Sequence, residues 1–193
     1  MVILVLALGC HKAEQPPVST DTATTATMAV NETTGTATGT GATGGGVSTL
    51  SETEKKFVMD AAQGEMSEIS LGTLASERGG SPDVKAFGNR MAADHGTAQA
   101  DLKILATNKG LALPMVLNGE QQKAGADLAK QSGKDFDKAY MAEMVADHEK
   151  DVAEFQKAMQ EIKDPDLQAW VSKTLPTLQE HLKMAKETQG KVK

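Results

Sequence analysis

The chain has 193 residues, 20 Lys and Arg against 26 Asp and Glu for a formal charge of −6, one Cys, 10 Met and 3 % aromatic residues. One cysteine makes neither an internal disulfide framework nor a multi-cysteine zinc site, and an acidic, aromatic-poor chain lacks the basic, stacking surface that binds nucleic acid. Scarce aromatic and β-branched residues beside plentiful Ala, Leu, Met, Lys and Glu argue against an all-β fold, and no run reaches the roughly 18 apolar residues of a membrane-spanning helix.

Residues 1–10 form a short apolar stretch ending in Ala7-Leu8-Gly9-Cys10. It resembles the remnant of a bacterial lipoprotein signal, in which small residues precede a cysteine that is lipidated after cleavage, although no basic segment stands before the apolar run. On this reading Cys10 carries the lipid anchor. One acyl chain holds a protein to a membrane only weakly, and the lipoprotein modification supplies three. His11, rather than Asp, follows the cysteine. By resemblance to enterobacterial sorting, that places the chain on the periplasmic face of the bacterial cell envelope, anchored in the outer membrane. Residues 11–49 are rich in Thr and Gly, with Pro16-Pro17 and Gly44-Gly45-Gly46 near the two ends. Such a segment buries too little apolar surface to offset its ordering entropy, so it reads as a disordered tether.

Residues 50–193 hold nearly all the apolar residues and read as helices throughout. Ser51 followed by Glu54 is a capping box opening a helix that Gly79-Gly80 ends near Arg78. Ser81-Pro82-Asp83 supplies an N-cap, a first-position proline and an acidic first turn for a second helix ending near Gly110. Asn118 caps a short helix to about Gln131, with Gly133 as its stop. A third long helix runs from near Asp135 to near Lys163. Asp164-Pro165-Asp166 opens the fourth, which ends near Gly190 and contains Pro176, a residue that removes a hydrogen bond and bends a helix. Four long helices joined in pairs by tight turns predict an all-α, antiparallel four-helix bundle, with a short extra helix in the long middle connection. An up-down-up-down path and a ferritin-type crossover both fit the connection 110–134.

Each long helix carries an apolar seam at 3–4 spacing. The first is Phe57, Ala61, Gly64, Glu68, Leu71 and Ala75. Those of the other three helices carry His95, His148 and His181 in the corresponding middle stretch. Glu68 lies 11 residues before Gly79, His95 14 after Ser81, His148 15 before Lys163 and His181 17 after Asp164. At 1.5 Å per residue all four fall near mid-height of helices about 40 Å long, so they converge on one level. An internal repeat supports this placement: at an offset of 53, seven of the 19 positions from 85 to 103 recur, including both Asp-His pairs, Asp94-His95 and Asp147-His148.

An unpaired buried imidazole or carboxylate costs about 2 kcal/mol or more. Two readings meet that cost. Either the groups satisfy one another as a metal-free polar cluster in a structural or stress-related envelope protein, or His95, His148, His181 and Glu68 hold one transition-metal ion: zinc, iron, manganese or copper. Asp94, Asp147 and Glu180 each precede a seam histidine. They either bond a histidine of a neighbouring helix or face solvent, and Glu65 is a further carboxylate near Glu68. Met91, Met144 and Met184 lie one turn from seam histidines. They are either soft ligands suited to copper(I) or gap-fillers of a helical core. A redox enzyme centre ranks behind both binding and structural readings, since no pattern identifies a substrate. No catalytic triad or phosphate-cradling loop is present.

The stretches Phe57-x3-Ala61-Ala62-Gln63-Gly64 with Glu68 and Leu71-Gly72, Met91-x2-Asp94-His95, Asp135-Phe136-Asp137-x2-Tyr140, Met144-x2-Asp147-His148 and Leu175-Pro176-x-Leu178-x2-His181 resemble a bacterial envelope family, domain of unknown function 4142. The resemblance spans the whole folded domain. It implies a ferritin-like four-helix bundle outside the cytoplasm, often described as an outer membrane protein, and it implies no activity. Di-iron bundles place Glu-x-x-His on two helices. The residues three before the seam histidines here are Ala92, Val145 and Leu178, so a di-iron centre is not expected.

Overall fold

A computed structural model describes residues 48–192. Cys10, residues 1–10 and almost all of the 11–49 segment lie outside these residues. Five helices follow in order: α1 Glu52–Arg78, α2 Pro82–Asn108, α3 Gly119–Leu128, α4 Gly133–Glu161 and α5 Pro165–Lys191. The chain is all-α over the described residues, and the helix starts are those the caps dictate. Ser51 and Glu54 form a reciprocal capping box on α1, Ser81 caps α2 at Val84, Asn118 and Gln121 box α3, and Asp164 caps α5 at Asp166 and Leu167. One boundary differs from the expectation. Gly133 does not stop the short helix but is the first residue of α4, at φ +56°, where glycine meets no steric penalty. It also forms a bridge with Gly79. Helix α5 runs on through Pro176, whose side chain is exposed.

Helix α1 packs most extensively on α2, and α4 on α5, while α2 faces α5 and α1 faces α4. The ends are fixed by buried carboxylates. Glu54, on the first turn of α1, accepts from the backbone N–H groups of Lys163 (2.8 Å) and Asp164 (2.9 Å) in the α4–α5 turn. Asp137, on the first turns of α4, accepts from Gly80 (2.7 Å) and Ser81 (2.8 Å) in the α1–α2 turn. Helix α4 therefore starts at the end where α2 starts, and these two helices run parallel on a diagonal of the bundle. The α2–α4 connection must travel its whole length. It crosses α1 on the way: the Gln63 side chain donates to the Val116 carbonyl and accepts from Asn118 N–H (each 3.2 Å), and Arg78 donates to the Ala129 carbonyl (2.8 Å). This is the single long crossover of ferritin-type bundles, and it decides between the two paths left open by the sequence. The diagonal, parallel arrangement of α2 and α4 is also what a 53-residue repeat requires.

The apolar core is split in two. Val58, Leu102, Phe155, Ile162, Leu167 and Trp170 belong to one cluster, and Leu71, Val84, Met91, Phe136, Tyr140 and Met144 to the other. On every long helix the gap between the clusters falls at Glu65–Glu68, His95, His148 or His181. A polar layer thus crosses the bundle at mid-height. The seams of α2, α4 and α5 lie inward as expected. That of α1 is displaced in its first half: Val58, Ala62 and Glu65 are buried, and Phe57, Ala61 and Gly64 only half-buried. Further along, α1 and α2 approach each other closely. A Cβ on Gly72 would meet the Gly88 carbonyl oxygen at 2.7 Å, and one on Gly88 would meet that of Gly72 at 2.6 Å.

Candidate metal centre

The polar layer is buried. Glu65, Glu68, His95, His148 and His181 are each at most 4 % exposed. The three imidazole centroids stand 5.1 to 5.6 Å apart, and one ring nitrogen of each histidine lies within 4.8 Å of those of the other two.

Which nitrogens carry hydrogen follows from their partners. His148 Nδ1 is 2.9 Å from the Met144 carbonyl oxygen, which only accepts, so Nδ1–H donates and Nε2 is left with a lone pair. His181 Nε2 donates to the Asp94 carboxylate at 2.9 Å, which leaves the lone pair on Nδ1. His95 Nδ1 donates to Glu65 at 2.7 Å, and its Nε2 has no partner. The lone-pair nitrogens of His148 and His181 then face each other at 3.4 Å. Two lone pairs at this distance repel unless a cation stands between them. Two imidazoles bound to one tetrahedral ion at about 2.1 Å would hold their nitrogens roughly 3.4 Å apart.

The outer partners are those that orient metal-binding histidines: carboxylates and a backbone carbonyl on the second ring nitrogen. Asp94 is itself held by Arg90, one turn earlier on α2, which stands 3.9 Å from Glu180 on α5. Burial raises the Asp94 carboxyl, but hydrogen bonds from Arg90 and His181 outweigh it and hold the group below the usual range. Burial pushes His148 down to about 3, helped by the charges of the neighbouring histidines, and His181 down to about 4, so both rings are neutral at neutral pH. Burial also lowers His95, but the Glu65 hydrogen bond and charge outweigh it and raise the group above the ordinary imidazole range.

The other residues singled out in the sequence take different places. Glu68 lies on the outer side of His148, with Oε1 3.9 Å from Nδ1, and it is not among the three-nitrogen group. Its Oε2 has no partner, and burial pushes its carboxyl up to about 8. Asp147 is half-buried and Glu180 exposed. Met91 and Met144 are buried in the apolar cluster beside the layer, and half-buried Met184 packs against it. Sequence reasoning missed Arg90, Asp151 and the Tyr140 hydroxyl. Arg90 was legible as an i,i+4 partner of Asp94. Tyr140 gave no signal: its hydroxyl is buried without a partner.

The family model described as domain of unknown function, DUF4142, matches residues 40–188. The chain belongs to this family. No curated protein matches it. Among solved structures, this DUF4142 chain is similar to a DUF305 fragment from Deinococcus radiodurans, at 13 % identity and a TM-score of 0.65 over 74 % of this chain and 98 % of that one. The likeness is one of fold: a DUF4142 bundle and a DUF305 bundle share a helical architecture.

Proposed function

We propose that this protein binds one divalent transition-metal ion at the level of its histidines, through the inward nitrogens of His95, His148 and His181. The observation that carries the reading is the convergence of one ring nitrogen from each of three histidines whose other nitrogens are already committed to Glu65, Met144 and Asp94. A set of three imidazoles without a carboxylate ligand suits zinc or copper(II) better than manganese or magnesium. Three protein ligands on a tetrahedral ion leave one position for water or a small ligand. Binding at His95 also releases the proton that Glu65 favours there. The Glu-x-x-His pairs of di-iron bundles are missing, so one ion rather than two is the expected load.

The same reading places the domain in the bacterial envelope, on a tether from a lipidated Cys10. The support is the apolar stretch ending in Cys10 and the Thr/Gly-rich segment after it, together with the absence of any helix among the described residues long and apolar enough to cross a membrane.

The test is metal content after native purification of the full chain, beside His148→Ala prepared identically. The expected result is close to one ion per wild-type chain and a loss of at least tenfold in the variant. Equal, background metal in both samples favours a metal-free polar cluster that serves structure alone.

A further inference from the structure

The histidine layer is reached from solvent on two sides. Between α1 and α4 lies a groove of about 690 Å³, whose lining includes Gly64, Glu65, His95 and Asp151. Between α2 and α5 a smaller cleft of about 170 Å³ ends on His95 and His181. The two differ in what they offer a cation. In the cleft each carboxylate is matched by a cationic side chain, Asp94 by Arg90 and Asp101 by Lys173. In the groove, Asp60, Glu154 and Glu161 are likewise matched by Lys56, Lys150 and Lys157, but Asp151 is half-buried and makes no hydrogen bond or ion pair among the described residues. It sits three residues beyond His148 on α4, in the same lining as His95. The groove ends on His95, whose 3 %-exposed side chain has an unpartnered Nε2, one of the three nitrogens of the proposed centre.

We propose that the α1–α4 groove is the route by which a divalent metal ion reaches the histidines, with Asp151 as the carboxylate that captures it on the way. This rests on the three-histidine reading. A hydrated cation accepts a carboxylate oxygen without shedding its whole water shell, so Asp151 holds the ion while imidazoles replace the remaining waters. Gly64 is suited to such a passage: a Cβ there meets nothing within 4 Å. A large side chain at this position fills space that the ion would cross.

The experiment is stopped-flow uptake of cobalt(II) by the metal-free full chain, read by the visible absorbance of the bound ion. Asp151→Asn and Gly64→Leu are each expected to slow uptake about tenfold with the final stoichiometry kept, and Asp151→Glu to restore the rate. Thr177→Leu, in the α2–α5 cleft, is expected to load at the wild-type rate. Groove variants that load as fast as wild type, or slowing confined to Thr177→Leu, overturn the route while leaving the three-histidine reading standing. A wild-type chain that takes up no cobalt overturns that reading and the route with it.

Discussion

The two ring nitrogens of each central histidine serve different partners, and that division has measurable consequences. Asp94 fixes His181 by accepting its Nε2–H, so Asp94→Asn should weaken metal binding 10- to 100-fold, the usual effect of losing such an orienting group. Competition with a chromogenic chelator reads it; unchanged affinity would remove Asp94 from the account. Glu68 acts on stability instead. Its carboxyl titrates at about 8 in the folded chain against an ordinary 4.5. Between these values the unfolded carboxyl is ionised and the folded one still protonated. A rise in pH across that window therefore favours unfolding, by up to about 1.4 kcal/mol per unit. Glu68→Gln should raise the Tm at pH 8 more than at pH 5, in metal-free buffer, by circular dichroism. A variant that loses stability from pH 5 to 8 as steeply as wild type would contradict the assignment. The sequence placed the histidines because an ionisable residue on an apolar seam is conspicuous. It could not assign ring nitrogens, because the partners of His95 and His181 lie on other helices, 30 and 87 residues away.

At the scale of the helix, the close contact of α1 and α2 opposes intrinsic propensity. Alanine is a better helix former than glycine by about 1 kcal/mol, so Gly64→Ala, facing open space, should stabilise the chain by roughly 0.5–1 kcal/mol. Gly88→Ala should destabilise it by about 2 kcal/mol, because its Cβ would press on the backbone of α1. Urea denaturation of both variants compares the two signs, and equal signs would refute the contact. Glu54 joins α1 to the α4–α5 turn. Burial raises its carboxyl, but four hydrogen bonds, from the backbones of Asp164, Ser51 and Lys163 and the Ser51 hydroxyl, bring it down to about 2. Its contribution is complete above an ordinary pKa of 4.5 and is lost as pH falls toward 2. Glu54→Ala should therefore cost about 2 kcal/mol at pH 7, the worth of hydrogen bonds to a charged acceptor, with the difference narrowing below pH 4. A constant difference from pH 7 to 2.5 in thermal unfolding would show that the ionised carboxylate is not the cause. The capping box was legible because Ser51 and Glu54 are three residues apart. The bonds to Lys163 and Asp164 were not, because they join positions 109 and 110 residues apart. The seam of α1 slipped by one residue in its first half for a related reason: Phe57, Ala61 and Gly64 are apolar at helical spacing, yet they stand at the margin of the core, where Phe57 and Ala61 pack against it and all three line the groove.

For the whole molecule, local signals set the number and limits of the helices, since caps, prolines and glycines act within a few residues. They did not set the path. The crossover depends on Gln63 and Arg78 gripping a connection more than 50 positions away, and no spacing in the sequence announces such contacts. The resulting bundle keeps two apolar clusters apart by a buried layer of three histidines and two carboxylates. Such a layer costs stability unless its groups are matched, and among its inward nitrogens that of His95 has no partner, while those of His148 and His181 have only each other at 3.4 Å. X-ray absorption at the zinc edge of the zinc-loaded chain tests this most directly. The account predicts three imidazole nitrogens at about 2.0–2.1 Å and one exchangeable, non-imidazole ligand. A shell of oxygens alone, or one with fewer than two imidazoles, would contradict it.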